Sequence, residues 1–428
     1  MPIIVAGLGF APEHIPAQVR ELLPRAGLIA AGHNCLELIA AERGPLDDRY
    51  LPLDRDLAAV FAKLWDSHTA GQTVLLLASG DPLFFGAATA LRRWLESVHG
   101  AEATAPDVLR IIPNISSMQV MAARLGLPWS DLPCVSLHGR SDWFPLWQAL
   151  AQASHRHICL LTDNTYTPAH VANALLGRGC VDTRLHIFSR LGSAAEEYFC
   201  LPLKEARDYD APKPNALILE RGQEPGLPLT LGQEDDSFTS EAGLISKGPA
   251  RAMALAALRL NSGHVLWDLG AGSGAVSMEA AALLPQGCVF AVERDARRAE
   301  MIFENRQRCG AWQVEIVNGE MPACLDSLPA PDRIFIGGGL NHGDLDSAGN
   351  GRGVNPLLAE ACRRLRPGGR LVANCVLQSS LNAALDYFQQ LNWPVETTLL
   401  QASQSRPLAG SSRFNAQNPV FVLTAVKP

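Results

Sequence analysis

The chain has 428 residues, of which 47% are hydrophobic and 18% are charged, and its formal net charge is −7. This length predicts two or three globular domains, and the acidic balance excludes a general attraction to nucleic acid or acidic lipid. The longest apolar stretches are far shorter than a membrane span, and no signal-peptide pattern precedes the first apolar run.

Apolar runs that suit buried strands alternate with helical patterns through the first half of the chain. Strands are predicted at Ile3–Gly7, Thr73–Ala78, Leu109–Ile112, Cys134–His138, His157–Thr162, Leu185–Ser189 and Ala216–Glu220. Helices are predicted at Pro16–Arg25, Gly86–Ser97, Ser116–Leu125 and Pro168–Leu176. This alternation favours a mainly parallel, buried sheet in a domain spanning residues 1–222. Residues 223–237 are rich in Gly, Pro, Gln and acids, and we interpret them as a linker.

The alternation restarts in a second predicted domain, residues 238–428. Its strands are predicted at His264–Asp268, Cys288–Val292, Val314–Asn318, Arg333–Ile336, Arg370–Val376, Val395–Gln401 and Val420–Val426. Helical patterns lie between the first five strands. Seven strands with two closely spaced at the end resemble the Rossmann-like sheet of class I methyltransferases, in which the last hairpin places one antiparallel strand.

A glycine-rich turn follows the first strand of this second domain. Its glycines are Gly270, Gly272 and Gly274, and Asp268 stands two residues before them. Such a turn lets the backbone approach a nucleotide-type ligand closely. A carboxylate at Asp268 favours the ammonium or sulfonium of S-adenosylmethionine (SAM) over a pyrophosphate, which it would repel. Glu293, at the end of the next strand, can accept hydrogen bonds from ribose hydroxyls of either SAM or a nicotinamide dinucleotide, and a tight turn without a ligand is the alternative.

Four loop motifs in the first half follow strand ends. They are Gly7-Leu8-Gly9, Gly80-Asp81-Pro82 with Gly86, Pro113-Asn114-Ile115-Ser116-Ser117, and His138-Gly139-Arg140. Each alone is compatible with ordinary turn chemistry, and Ser116 also fits a helix N-cap. Together, over about 220 residues, they resemble the tetrapyrrole methylase family, which transfers methyl groups from SAM to uroporphyrinogen-derived macrocycles. The family pattern has Pro-Gly where this sequence has Phe10-Ala11, and it has glycine at the position of Asn114.

The resemblance implies a two-lobed fold and one SAM site in the first half. It places Gly80, Asp81, Phe84, Ser116 and Ser117 at SAM, and Gly7 and Gly9 at the macrocycle. It also implies that Arg140 meets a substrate carboxylate, although a surface arginine fits the sequence equally well.

The second half resembles the SAM-binding domain that methylates and decarboxylates precorrin-6B. The match is carried by Ser246-Lys247 with Arg251, by the turn itself, by Ser277-x-Glu279, by Asn318 to Pro322, by Phe335 to Gly339, and by Arg406 and Asn418-Pro419-Val420. It implies a second SAM site that includes Ser246, Asp268, Gly270, Ala271, Gly272, Ser273, Gly274, Glu293 and Met321. Lys247, Arg251 and Arg406 are expected to pair with substrate carboxylates and to serve catalysis. Glu320 and His342 are candidates for the proton donor of the decarboxylation.

Taken together, the resemblances imply a bifunctional enzyme of cobalamin synthesis with two SAM sites. It would methylate carbons 5 and 15 of a precorrin-6 type corrinoid and remove the ring C acetate carboxyl. Ten cysteines without C-x-x-C spacing predict a cytoplasmic protein with no metal site. No nucleic-acid or membrane partner is expected, and a homo-oligomer is possible. The open alternatives are a methyltransferase for another small molecule or RNA, a NAD-dependent oxidoreductase and a non-catalytic tetrapyrrole carrier.

Overall fold

The computed structural model describes residues 2–43, 46–53, 56–139, 141–223, 225–241, 245–338, 340 and 355–428. The chain divides into two compact units. The first comprises residues 1–141, 156–177 and 181–222, and the second comprises 142–155, 178–180 and 223–428. Within the described ranges, no helix combines the length and the apolar character needed to cross a bilayer.

The first unit opens with a five-stranded parallel sheet of order β3-β2-β4-β1-β5. Its elements are β1 (Ile3–Gly7), α1 (Ala17–Leu22), β2 (Leu28–Ala31), α2 (His33–Arg43), β3 (Tyr50–Pro52), α3 (Leu57–Thr69), β4 (Val74–Ala78), α4 (Ala87–His99), β5 (Leu109–Ile112) and α5 (Ser117–Leu125). The sheet is buried on both faces. Ile4 and Ala6 of β1 pack in one hydrophobic cluster, whereas Ile3 and Val5 pack in another. Burial of both faces explains why these strands are continuous apolar runs.

A second five-stranded sheet of the first unit has the order β6-β7-β10-β8-β9. The elements that follow along the chain are β6 (Cys134–Ser136), α6 (Phe144–Ala151), β7 (His157–Leu161), α7 (Pro168–Arg178), β8 (Thr183–Ser189), β9 (Glu197–Pro202), α8 (Leu203–Ala206) and β10 (Asn215–Arg221). The predicted two-lobed α/β fold is confirmed, but the expectation of a mainly parallel arrangement was wrong for this sheet. Only β6 and β7 pair in parallel among its described strands. The loop 190–196 between β8 and β9 is too short for a parallel crossover, so these two strands form a hairpin.

The second unit contains a seven-stranded sheet of order β13-β12-β11-β14-β15-β19-β16, in which β19 runs antiparallel to both neighbours. Its elements are α9 (Gly248–Leu258), β11 (Val265–Leu269), α10 (Ala275–Ala282), β12 (Cys288–Glu293), α11 (Ala296–Cys309), β13 (Val314–Asn318), β14 (Arg333–Ile336), α12 (Pro356–Arg364), β15 (Arg370–Cys375), α13 (Gln378–Gln390), β16 (Val395–Leu400), β17 (Ser403–Leu408), β18 (Ser411–Ala416) and β19 (Val420–Val426). The predicted class I Rossmann-like sheet is confirmed. Strands β17 and β18 form an additional exposed hairpin that was not predicted.

Two hydrophobic clusters enclose this sheet. Leu266, Phe335 and Val372 face the cluster that contains Leu255 and Leu258 of α9. The opposite face carries Trp267, Leu269 and Leu371, which pack with residues of α12 and α13. Because the described parallel strands of this sheet all point the same way, the loops after β11, β12, β13 and β14 gather at one edge.

Candidate functional site

All three glycines of the turn after β11 have a left-handed backbone conformation. The φ angles of Gly270, Gly272 and Gly274 are +73°, +59° and +78°, a region that side chains rarely adopt. A Cβ on Gly270 would also come within 3.2 Å of backbone atoms of Gly338. The amides of Gly270 and Ala271 both donate to the carbonyl of Val292 at 3.0 Å. The turn is thereby held against the end of β12.

Asp268 is a buried carboxyl group with one oxygen left unused. The residue is 1% exposed, and its Oδ2 accepts a 2.5 Å hydrogen bond from the Ser277 hydroxyl. Its Oδ1 is buried and has no hydrogen-bond partner among the residues that the structure describes. Burial raises the pKa of Asp268 to about 7, an effect that the nearby Glu293 reinforces and that the Ser277 hydrogen bond opposes. A cationic group at Oδ1 would satisfy both the unused lone pairs and the charge.

Glu293 ends β12 beside the glycine turn. Its Oε2 accepts from the amide of Gly272 at 2.9 Å, and its Oε1 accepts from the amide of Asp295 at 3.1 Å. Each carboxylate oxygen can accept a further hydrogen bond, so the fixed orientation leaves capacity for a diol. Glu293 therefore has the geometry expected of a ribose acceptor.

A cavity of about 1330 Å³ opens above this edge of the sheet. Its lining includes nine of the residues predicted for this half of the chain, namely Ser246, Lys247, Asp268, Gly270, Ala271, Gly272, Ser273, Glu293 and Met321. Glu320, Gly337 and Gly338 also line it. Gly274 instead forms the N-cap of α10, where a Cβ would meet the Ile302 side chain at 3.0 Å. Gly339 and His342 lie outside the described residues.

The first unit brings three predicted loops together, because β4, β1 and β5 are neighbours in the sheet. The amide of Gly80 donates to the carbonyl of Gly9 at 3.1 Å, and a Cβ on Gly7 would lie only 2.3 Å from the carbonyl oxygen of Gly80. Asp81 accepts from the amides of Leu83 at 2.8 Å and Asn114 at 3.0 Å. The loops at Gly9 and Gly80 are therefore joined backbone to backbone, and the loop at Asn114 is joined to them through the Asp81 carboxylate. Close approach is the physical reason for glycine at position 7.

Comparisons with known proteins agree with this two-part architecture. A family described as tetrapyrrole (corrin/porphyrin) methylases matches residues 2–207, and one described as a precorrin methyltransferase domain matches residues 236–427. A precorrin-6Y C(5,15)-methyltransferase [decarboxylating] from a Sinorhizobium species is 31% identical over 97% of this chain and 92% of its own length.

The chain belongs to the precorrin-6Y C5,15-methyltransferase (decarboxylating) family.

Membership makes it an enzyme of the SAM-dependent C-methyltransferase class. Two shorter proteins each match slightly less than half of this chain. A cobalt-precorrin-6B C(15)-methyltransferase (decarboxylating) from Salmonella typhimurium is 34% identical over 43% of this chain and 89% of its own. The crystal structure of a precorrin-6y C5,15-methyltransferase from Geobacter metallireducens is 34% identical, covering 47% of this chain and all of that chain with a TM-score of 0.42.

The structure corrects the role expected for Arg251. Its side chain is fully buried and does not line the cavity formed by the described residues. The guanidinium donates to Glu279 at 2.7 Å, to Asp235 at 3.1 Å and to the carbonyl of Ser246 at 2.6 Å. Because its donors are directed into the protein, Arg251 cannot pair with a substrate carboxylate. It instead positions Ser246 and Lys247 at the cavity wall.

The structure also places Arg406 away from the site to which the sequence assigned it. It lies on β17, directly opposite Arg413 of β18 in a hairpin whose residues are exposed. Ala402 and Ala416 at the base of this hairpin line the cavity, whereas Arg406 does not. The structure therefore brings Lys247, but not Arg406, to the predicted site.

In the first unit, Ser116 is a capping residue. It is 2% exposed, and its hydroxyl accepts from the amide of Gln119 while the Gln119 side chain accepts from the Ser116 amide, a complete capping box. The hydroxyl oxygen of Ser116 is therefore used in the helix cap, and its contact with SAM stays a prediction. Ser117 begins α5, and Phe84 packs partly buried against a hydrophobic cluster. Arg140 lies outside the described residues.

Asn114 stands where the family has glycine, and it supports the turn through hydrogen bonds of its side chain. It does not adopt a positive φ, and its side-chain amide donates to the carbonyls of Gly7 and His14, both at 2.9 Å. A cavity of about 590 Å³ lies beside it, with walls that include Ile115 and Trp129. Gly80, Asp81, Phe84, Ser116 and Ser117 do not line this cavity.

Sequence reasoning gave no role at the second site to three residues that shape it, although Ser277 was part of a matched motif. Ser277 supplies the hydroxyl that holds Asp268. Asn305 is fully buried and joins the segment at Thr239 to the glycine turn by donating to the carbonyls of Thr239 and Ser273 at 2.9 Å. Asn374 lines the cavity from β15. The available signal for Asn374 was a polar residue inside the apolar run Leu371 to Val376.

Proposed function

We propose that the chain carries two independent SAM sites, one in residues 1–222 and one in residues 238–428, joined by residues 223–237. The first domain methylates carbon 5 of a precorrin-6 type corrinoid in cobalamin biosynthesis. The second methylates carbon 15 and removes the carboxyl group of the ring C acetate. The observation that carries the second assignment is the buried, unpartnered Asp268 Oδ1 in a cavity lined by the glycine turn. The joined glycine loops of the first unit support the first assignment.

The residues of the second cavity fit SAM. Asp268 offers an acceptor for a cation, and Glu293 offers one for a ribose diol. SAM when bound supplies a methyl group already activated by the sulfonium, so the protein needs in-line placement more than a strong acid or base. The volume of about 1330 Å³ exceeds the usual 300–1,000 Å³ of a small-molecule site, which leaves space for a second ligand.

Decarboxylation places a different demand on the same cavity. When an acetate arm loses carbon dioxide, the conjugated macrocycle can accept the electron pair, much as a cofactor sink would. Apolar lining residues, Leu357, Val376 and Leu400, would disfavour a carboxylate and so favour its loss. Glu320 lines the cavity and is our candidate for the group that returns the proton.

A nicotinamide-dependent oxidoreductase is less compatible with the structure. Its pyrophosphate would lie beside the glycine turn, close to the unused oxygen of Asp268, and two negative groups would repel each other. Calorimetric titration of the full chain with SAM and with NAD separates the two. Binding of NAD without SAM would contradict the proposal.

We also propose that the protein works in the cytoplasm on a corrinoid substrate, without a nucleic-acid partner, and forms a homo-oligomer. The acidic net charge of −7 supports the absence of a nucleic-acid partner, and the reduced cysteines support the compartment. Gel filtration with light scattering tests the oligomer.

The affinity of the second site for SAM is expected to rise with pH up to about 7. The ligand is a net cation and requires ionised Asp268, whose pKa is about 7 in the ligand-free protein. Below that pH the carboxyl must release a proton on binding, so affinity falls by up to about tenfold per pH unit. Calorimetry in two buffers of different ionisation enthalpy measures that proton. The Asp268→Asn variant should lose this proton release, and an unchanged release in that variant would assign it to another group.

Gly7→Ala is expected to lower carbon-5 methylation by about a hundredfold or more and to leave carbon-15 methylation intact. The added Cβ would lie 2.3 Å from the Gly80 carbonyl oxygen, so one backbone must move. Gly32→Ala is the matched control, because a Cβ there meets nothing within 4 Å. Product mass with labelled SAM, using an already C5-methylated macrocycle for the second site, gives both rates. Loss of both methylations in folded Gly7→Ala would show that the sites are not independent.

A further inference from the structure

Asn374 is an unusual residue for its position. It lies in β15, which is paired with β14 on one side and β19 on the other, and its neighbours Leu371, Val372 and Ala373 are buried and apolar. Asparagine is depleted in such strands. Within the described part of the chain its Oδ1 is buried without a hydrogen-bond partner, which disfavours the folded state. Packing within the protein therefore does not explain why asparagine occupies this position.

The fold places Asn374 on the cavity side of the sheet. Alternate residues of a strand share a face, so Asn374 lies on the same face as Val372, which packs in one cluster with Leu255 and Leu258 of α9. The guanidinium of Arg370 donates to the carbonyl of Ala257, which sets the start of β15 beside the end of α9. Four strand residues span about 13 Å and nine helical residues span about 14 Å. Asn374 is therefore level with the start of α9, where Lys247 lines the same cavity.

Asn374 is too far from Asp268 to share a ligand group with it. The register pairs Asp268 with Phe335 and Phe335 with Val372, so Asp268 is two strands away from β15 on the same face. Two strand spacings are about 10 Å, which no single hydrogen-bonding group spans. Ile336, the last residue of β14, pairs with Ala373, so the next residue, Gly337, lies beside Asn374. Gly337 has no side chain, which leaves the cavity open there.

We infer that Asn374 is a substrate-binding residue of the second site, and that its carboxamide turns when substrate binds, so that Oδ1 accepts a hydrogen bond from a ring N–H of the tetrapyrrole. The inference rests on the proposed function. An amide oxygen needs a donor, and the pyrrole-type nitrogens are the donors at the centre of a macrocycle whose edge carries carboxylates. Two further carboxamides, Gln417 and Asn418, line the same side of the cavity. Neutral acceptors are suited to ring N–H groups, whereas Lys247 is suited to a carboxylate arm.

The test uses the full chain with Asn374→Val, Asn374→Asp and Thr424→Val. Thr424 lies on β19, is buried, and is not among the described residues that line the cavity, so it controls for loss of a polar group from this sheet. Asn374→Val should raise the KM for the C5-methylated macrocycle in carbon-15 methylation by about tenfold or more. The Kd for SAM and the rate of carbon-5 methylation should stay within about twofold. Because the unsatisfied oxygen is removed, the thermal midpoint should rise by about 2–4 °C.

Asn374→Asp keeps an oxygen acceptor, so its KM should lie below that of Asn374→Val. A KM for Asn374→Val equal to that of Thr424→Val would overturn the inference. A KM for Asn374→Asp above that of Asn374→Val would show that the partner is anionic and would overturn the ring N–H assignment. If the unmodified chain transfers no methyl to carbon 15, the proposed function fails instead, and the two failures are distinguishable.

Discussion

Asp268→Asn is expected to lower carbon-15 methylation by about a hundredfold and to leave carbon-5 methylation unchanged. Asparagine keeps an oxygen that can accept from the Ser277 hydroxyl, so the turn retains its shape. What is lost is the negative charge that faces the cation, worth about 3 kcal/mol for a charged hydrogen bond. Mass analysis of products formed with labelled SAM measures both methylations.

The same substitution is expected to stabilise the ligand-free second domain above pH 7. Burial raises the pKa of Asp268 from 3.8 to about 7, so the folded state holds the proton more tightly than the unfolded state. This tighter proton binding stabilises the folded state fully below about pH 4, and the stabilisation is lost as pH rises to about 7. The ionised group then costs up to about 4 kcal/mol, which asparagine avoids. Thermal unfolding at pH 5 and pH 8 measures the difference.

Asp326→Asn provides the control, because it removes one negative charge from a side chain that is 80% exposed. It should change neither methylation nor the pH dependence of stability. An Asp268→Asn variant that binds SAM normally would contradict the role given to this carboxylate. An Asp268→Asn variant that is less stable than the unmodified chain at pH 8 would contradict the destabilising effect assigned to the buried, ionised Asp268.

Arg251→Met is expected to destabilise the second domain by about 3–5 kcal/mol. Methionine leaves the carboxylate of Glu279 buried and without its cationic partner, since the Glu279 side chain is only 2% exposed. The change also removes the donors that hold Ser246 and Asp235. Hydrogen exchange of peptides from α9 and α10 localises the loss to this domain, because exchange reports the free energy of local opening.

Arg363→Met is the matched control, since Arg363 pairs with Glu360 at the surface and its side chain is 66% exposed. Its cost should not exceed about 1 kcal/mol. Adding Glu279→Leu to Arg251→Met should recover part of the stability, because the unpaired buried charge is then absent. A stable Arg251→Met variant with a raised KM for the macrocycle would restore Arg251 as a substrate contact.

The sequence predicted several strands from their apolar residues, at the edges of sheets as well as in their centres. The bounds of β1, β5, β13, β14 and β19 agree residue for residue with the structure. It missed β2 (Leu28–Ala31), although β5 and β14 are equally short. It also missed β17 and β18, whose polar and exposed residues show no alternation of apolar and polar positions. Hairpin geometry in the sheet of β6 to β10 depended on loop length rather than on strand composition, so the direction of its strands was mispredicted.

The residue types of the turn could be predicted where backbone geometry dictates them, and their contact with SAM stays a prediction. The turn from Gly270 to Gly274 and the acids on either side of it needed only a strand, a turn and a helix start. Charged residues were less predictable, because a sequence motif does not show whether an arginine faces ligand or protein. Arg251 faces Glu279 and Arg406 faces Arg413, and both were assigned to substrate from their charge and their places in the matched motifs. Asn374 interrupts an apolar run in the sequence, but only the fold shows that its side-chain oxygen is buried without a partner among the described residues.

The most direct test counts the methyl groups and carbon dioxide that one chain produces from a precorrin-6 type macrocycle and methyl-labelled SAM. We expect two labelled methyl groups and one carbon dioxide per macrocycle for the unmodified chain. We expect one labelled methyl group, at carbon 5, for Asp268→Asn. Two methyl groups from Asp268→Asn, or none from a folded variant, would contradict two independent sites with Asp268 at the second.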